Sequence, residues 1–457
     1  MEVIRHPRAG AGAVATAPLV ARWRRKQETV APVMLAQRSL PSATEVTRFA
    51  APFHLFCLLT FVIVGRPNDY FLWLVPLRIA LVFTVLTVVA TLLRWREATP
   101  SPFAAKETKL YLCFYAAMVG GIPFAVYRPG AFDYVITQYV VNVAFFLLFL
   151  VHVDSVAKLR RVAGVLVLSV FLYTVFGFVS GQFMQGRYFT GSGMFDPNDV
   201  AFFEVYLLGF ALWVLVGRFG FAMKAVALST VLSGVLLTLY TASRGGLLGL
   251  LAFLLLFLWL HVPTVSKSFK GVLLAILIVG AFANADKINI QRYQTLGSLE
   301  NDYNLQGDGG RVDTWKRGIR LFLDDPLTGV GVGGFGKAIG EQRLIDGDVP
   351  RWQTAHNAYI LVLTETGIVG AAAFLLLIVT SVRTFNRLRR VAGSLPDREL
   401  AVLPGFLLVS FGAQLVAALF LSQAYSMFFT LAFALSAALN RLTANAATTS
   451  HRAPGNN

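Results

Sequence analysis

The sequence predicts an all-α polytopic membrane protein of about twelve transmembrane helices, with one large outward loop between the ninth and tenth. Two observations carry this. Hydrophobic residues fill 56% of the 457 positions, with 38 Phe and only 14% charged side chains, too little polar surface for a water-soluble globule. They also fall into runs near the length a helix needs to cross a bilayer, interrupted once by a polar stretch from about 285 to 357. Both cysteines, Cys57 and Cys113, lie in apolar runs, so the polar stretch has no thiol for a disulfide or a thiolate metal site.

Residues 1–48 carry Arg22, Arg24, Arg25 and Lys26 among Ala, Pro and Thr, and read as a disordered basic cytoplasmic tail. An orientation signal for the first span accounts for the cluster; a lipid-binding or calmodulin-binding helix is the alternative. Apolar spans follow at about 49–64, 70–93, 110–127, 131–151, 162–183, 198–216, 221–240, 245–262, 270–284, 358–381, 402–421 and 424–440. The bundle therefore occupies 49–284 and 358–440, the loop 285–357 and a second cytoplasmic tail 441–457. The first and ninth runs are short, which leaves open ten or eleven crossings with a re-entrant piece.

With the N-terminus inside, 26 of the 40 Lys and Arg fall on cytoplasmic segments and 13 on outward ones, with Arg78 inside a span. That asymmetry sets the orientation. The outward cations face 14 Asp and Glu, so the net charge of +16 belongs to the inner face and its anionic lipid rather than to a nucleic-acid surface.

The outward polar residues are the candidates for chemistry. Arg187, in Gly186-Arg187-Tyr188-Phe189-Thr190-Gly191, precedes Asp196-Pro197-Asn198-Asp199, a helix-capping sequence. Arg244 sits in Thr241-Ala242-Ser243-Arg244-Gly245-Gly246, the tip of a hairpin between two spans. Each reads equally as an anion ligand or as an arginine snorkelling to the interface. From Arg311 to Phe322 the spacing predicts a surface helix with Val312, Trp315, Ile319 and Phe322 on its packed face. Lys316, Arg317 and Arg320 on its other side are phosphate ligands or a solvated face, and Arg311 at its start aims inward.

The glycine-rich run Gly329 to Gly336 lacks the strand and the Gly-Lys-Ser/Thr of a nucleotide loop, and offers bare amides to an anion or simply a turn. Asp324 and Asp325 have no third ligand at metal spacing. His356 is a general base or an N-terminal polar residue of the tenth span. Glu204 and Glu365, within spans, are expected to pair with arginines of the site or to face a wet cavity.

Around these residues the sequence resembles the O-antigen ligase and O-antigen polymerase superfamily, over about 180–380. His356-Asn357, nine residues, then Gly367, two residues and Gly370 reproduce the family's most specific signature. Ser243-Arg244-Gly245-Gly246, Gly310-Arg311 with Trp315, and Pro326-Leu327-Thr328-Gly329-Val330-Gly331 look like further family segments. Asp196-Pro197-Asn198-Asp199 resembles the capping segment of exopolysaccharide members.

The resemblance implies a GT-C-type, metal-independent, inverting glycosyltransferase in the bacterial inner membrane, with no cofactor. It would move a glycan from undecaprenyl diphosphate to an acceptor hydroxyl on the periplasmic side. A polymerase would use another lipid-linked glycan as acceptor; a ligase would use lipid A-core or a protein. On this reading Arg187 and Arg244 hold the diphosphate, Arg311 assists and His356 orients or deprotonates the acceptor. Arg317, Arg320 and Asn357 are secondary candidates. The competing class is a lipid or solute transporter, which would require an internal repeat with paired broken helices; none is visible, and three scattered in-span ionisable residues make a poor proton relay.

Overall fold

The computed structural model describes residues 50–95, 101–191, 196–263, 265–297, 306–395 and 397–450. The basic tail 1–48 lies outside them. All twelve apolar runs are helical. The first nine are α1 (Ala50–Gly65), α2 (Ile79–Leu93), α3 (Lys106–Gly121), α4 (Val140–His152), α5 (Val156–Ser180), α6 (Pro197–Val216), α7 (Phe221–Tyr240), α8 (Arg244–Trp259) and α9 (Lys267–Ala283). The loop contributes α10 (Arg311–Asp324) and α11 (Phe335–Ile345), and the chain returns through α12 (Ala358–Arg390), α13 (Arg398–Ala417) and α14 (Met427–Ser450). By length and composition, eight segments among the described residues suffice to cross a membrane, while α1 and α8 are apolar but shorter.

Three expectations are corrected. The fold is helical but not purely so, because β1 (Gln182–Met184) pairs antiparallel with β2 (Arg187–Phe189), putting Met184 opposite Arg187. Gln185 and Gly186 between them both have positive φ, the two-residue turn whose twist suits a hairpin, so the helix expected to reach 183 ends at Ser180. Two spans open irregularly. A 3₁₀ segment, Leu72–Leu77, holds Pro76 and ends on Arg78 at φ 44 before α2, and a π-helical segment, Asp133–Tyr139, leads into α4. Finally, α12 and α14 extend to Arg390 and Ser450, past the apolar ends expected at 381 and 440.

The buried centre is α6, which packs against α5, α7, α8 and α13. Aromatic rings fill the space around it. Phe203 meets Tyr173 of α5 at 4.8 Å between centroids, and Phe428 of α14 lies against Phe202, Phe203 and Tyr206. Between membrane helices such contacts replace the hydrophobic drive, and small residues let backbones approach. A Cβ on Gly246 would lie 2.3 Å from that of Ala201, so the start of α8 seats directly on the start of α6. That contact brings the Arg244 turn beside the Asp196 cap of α6, whose Oδ1 accepts from Asn198 N and Asp199 N at 2.6 and 3.0 Å.

The in-span acids behave differently from expectation. Thr174 Oγ1 donates to Glu204 Oε1 at 2.7 Å, and the Phe335 amide donates to Glu365 Oε1 at 3.1 Å. Neither carboxyl has an arginine partner among the described residues, because both point into the helix-packed interior, beyond the reach of the cations at the helix ends.

Helix α12 is interrupted at Gly367, where φ is +61. The interruption frees backbone groups that the loop takes up: Val330 N donates to Thr364 O at 2.9 Å, Gly331 N to Glu365 O at 3.1 Å, and Ile368 N to Pro326 O at 2.8 Å. A Cβ on Gly367 would fall 2.3 Å from Leu327 O, and one on Gly329 2.3 Å from Thr364 O. The two glycine segments thus lock together, which anchors the loop to the bundle.

Helix α10 rests on α12 at Gly318, whose carbonyl accepts from Thr364 Oγ1 at 3.0 Å, while Thr314 and Arg317 are buried beside it. The predicted face was different. Ile319 is exposed, and Arg317 is buried instead because carboxylates neutralise it, as described next.

Candidate functional site

The stretch before α12 is sewn to the start of α10. Arg351 NH1 donates to Asp308 O at 2.7 Å, Gln353 Nε2 to Gly309 O at 2.7 Å, and Trp315 Nε1 to Ala355 O at 2.8 Å. Asn357 caps α12, its Oδ1 accepting from Tyr359 N and Ile360 N at 3.0 and 3.1 Å. Between these anchors His356 takes φ 46, a left-handed conformation that costs a non-glycine residue about 1–2 kcal/mol. Its amide donates to Ser422 Oγ at 2.8 Å, an oxygen that also receives Thr354 Oγ1 at 2.7 Å. The ring is thereby aimed while the backbone is held from both sides.

The ring lines a cavity of about 280 Å³ shared with Arg244, Arg292, Arg311, Arg351, Asn198 and Gln353. Arg187 stands behind Asn198, donating from NH2 to Asn198 Oδ1 and from Nε to Thr241 O, both at 3.0 Å. Arg292 donates to Ala242 O at 2.9 Å, so two arginines brace the turn that presents Arg244. Arg244 in turn reaches Thr295 Oγ1 at 3.2 Å.

Gathering so many guanidinium groups has an electrostatic signature. Burial lowers the Arg311 pKa, and Arg244 and Arg292 lower it further against the pull of Asp196. Burial lowers that of Arg187 too, with Arg292 and Arg311 adding to the effect and Asp196 and Tyr293 opposing it. Arginine starts so high that both remain cationic, and the repulsion is a standing demand for an anion. The same logic sets His356. Burial, then Arg311, hold its pKa below the ordinary histidine value despite Asp196, so at neutral pH its ring is uncharged and able to accept a proton.

Of the residues singled out from sequence, Arg244, Arg311 and His356 line one cavity, with Arg187 one residue behind it. Arg317 does not join them. Asp313, Asp346 and Asp348 surround it, the Asp346 contact at 2.6 Å, and although burial opposes the charge these partners hold its pKa above the ordinary value. Arg320 is exposed, 3.5 Å from Asp346. Sequence reasoning missed Arg292 and Arg351, which sit in no motif, and Arg343, fully buried between Asp308 and Asp313 at 2.8 Å each.

Residues 225–375 match the family described as O-antigen ligase. No match was found among curated proteins. The matched stretch runs from α7 into α12 and includes Arg244, Arg311, His356 and the interlocked glycines, so this part of the chain is similar to the O-antigen ligase family.

Proposed function

We propose that the protein is a metal-independent, inverting glycosyltransferase of the GT-C type, active at the periplasmic face of the inner membrane. It takes a glycan from undecaprenyl diphosphate and gives it to an acceptor hydroxyl, as a repeat-unit polymerase or an O-antigen ligase. The observation that carries this reading is the meeting of Arg244, Arg292, Arg311 and an uncharged His356 around one cavity. The acceptor oxygen attacks the anomeric carbon opposite the leaving group. The bond from that carbon to the diphosphate oxygen breaks, its electron pair leaves with undecaprenyl diphosphate, and the hydroxyl proton passes to His356. Charge grows on the diphosphate as the bond breaks, and fixed guanidinium groups are the donors that stabilise it. The orientation rests on the split of 26 against 13 cations between the two sides.

The experiment is transfer by the purified, reconstituted protein, supplied with an undecaprenyl-diphosphate-linked repeat unit with and without lipid A-core, the products being sized. Arg244→Ala and His356→Ala are expected to lose transfer by about 10²-fold or more while remaining folded and inserted. Near-normal transfer by either variant sinks the assignment. EDTA is expected to leave the rate unchanged, and inhibition reversed by Mg²⁺ would refute the metal-free mechanism.

A further inference from the structure

His356 lacks the orienting partner that a basic histidine ordinarily has. Its ring makes no hydrogen bond to any described residue, whereas a histidine base usually has its second ring nitrogen held by a carboxylate or a carbonyl. The direction of the ring is therefore set through the backbone. That backbone sits at φ 46, a left-handed conformation that persists in a non-glycine residue where its surroundings enforce it.

We propose that the connection between α13 and α14, residues 418–426, positions His356 against the arginines, with Ser422 as its grip and Asp199 of α6 as its anchor; the proposal rests on the transferase reading above. Asp199 and the whole connection fall outside 225–375, so the family match assigns them nothing.

The connection touches three parts of the site within four residues. Phe420 closes a 3₁₀ turn and packs on the start of α8, where a Cβ on Gly245, the residue after Arg244, would lie 2.9 Å from the Phe420 Cβ. Ser422 Oγ accepts from the His356 amide at 2.8 Å and from Thr354 Oγ1 at 2.7 Å, so one oxygen grips the chain on both sides of Ala355. Gln423 Nε2 donates to Asp199 Oδ1 at 2.6 Å. Beyond it the turn closes on itself, Ser426 N donating to Gln423 O at 3.1 Å, and Asn142 Nδ2 holds Tyr425 O at 3.0 Å.

The first turn of α6 is the common reference. Asn198 lines the arginine cavity and accepts from Arg187 NH2 at 3.0 Å, while the next residue, Asp199, holds Gln423. Consecutive residues of one helical turn thus fix the arginine side and the histidine side of the site. Such a frame matters because a misplacement of about 1 Å in a reacting group can cost about 10²-fold in rate.

Asp199 serves here as a hydrogen-bond acceptor, and an amide oxygen can do the same work. A role through charge, whether as a second base or as a carboxylate favouring the N-terminus of α6, requires the ionised side chain. Asp199→Asn therefore separates positioning from charge.

The test uses the purified full-length protein and two readouts. Hydrogen exchange followed by mass spectrometry over residues 353–359 reports the His356 amide without any need for activity. Ser422→Ala, Gln423→Leu and Asp199→Leu are each expected to speed exchange there about fivefold, the effect of one lost hydrogen bond, and to leave the rest of the bundle as protected as in wild type. In transfer assays the same variants are expected to lower kcat about 10- to 10²-fold with the donor KM unchanged. Asp199→Asn and Ser422→Thr are expected to restore most of both, and Asp199→Leu combined with Gln423→Leu to be no worse than either alone. Should Asp199→Leu fail to fold, Gln423→Leu and Ser422→Ala carry the measurement. Exchange over 353–359 unchanged in the disruptive variants, Asp199→Asn as damaging as Asp199→Leu, or a raised donor KM at unchanged kcat overturns the proposal. Wild type that shows the expected exchange pattern but no transfer would instead sink the reaction assigned above and leave the positioning of His356 standing.

Discussion

Arg311 is placed by two structures at once: the first turn of α10 carries it, and the Gln353 and Trp315 contacts tie that turn to the His356 segment. Arg244 and Arg292 repel its charge against the pull of Asp196, and an arriving anion offsets that repulsion. Arg311→Ala is therefore expected to cost about 10²- to 10³-fold in kcat, with Arg311→Lys recovering only part, since an ammonium cannot bridge two phosphate oxygens. Steady-state kinetics with saturating donor decide it, and a change in KM alone would argue against a role in bond breaking. For His356 the prediction is a pH profile. Because burial and Arg311 depress its pKa, the proton-accepting form persists into acid, and the sign follows: the rate stays flat at neutral pH and falls only below the ordinary histidine value near 6.5. A fall beginning above that value would require a raised pKa and exclude the assignment. These residues were legible because each sits beside a glycine or a helix start in a short motif. Arg292 was not, since Ile290–Gln294 has no pattern and only folding carries it to the Ala242 carbonyl. Arg317 misled for the converse reason: two of its neutralising aspartates, Asp346 and Asp348, lie about thirty positions along the chain.

At the scale of elements, the His356 to Gly370 signature has a mechanical meaning beyond chemistry. Its histidine faces the cavity, its asparagine caps α12, and its first glycine breaks that helix to receive the Pro326–Gly331 segment. Gly367→Ala meets both a positive φ and a carbonyl 2.3 Å away, and is expected to destabilise the protein by about 2–3 kcal/mol, read as a lowered Tm in detergent. Gly280→Ala, which meets nothing within 4 Å in α9, is the control and should leave Tm unchanged or slightly raised. Equal shifts in the two variants would dissolve the argument. Arg343→Ala should act more locally. It removes the buried guanidinium that ties Asp308 to Asp313 and loosens the loop to proteases before the bundle melts. Loop protection identical to wild type would remove the ion pairs from that role. Element existence was readable from hydropathy alone, whereas the hairpin at 182–189 and the breaks at Arg78 and Gly367 were not, because each depends on backbone angles that periodicity does not encode.

The whole molecule turns on which side of the membrane the arginine cavity faces. Periodicity located the twelve helices, but orientation comes from charge placement alone, and the helices themselves are neutral to it. The 26 to 13 distribution predicts that α11, in the loop, and the end of α12 lie on opposite sides. The part of α12 beyond its break supports this independently: from Ile368 to Arg390 the helix runs about 35 Å at 1.5 Å per residue, longer than the hydrocarbon core of about 30 Å. On a background with Cys57 and Cys113 replaced by serine, Glu341→Cys is expected to react with an impermeant maleimide in intact spheroplasts. Arg390→Cys should react only after the membrane is opened. The reverse pattern would put the arginines and His356 on the face where Lys and Arg are densest, and a donor presented at the outer surface would never reach them.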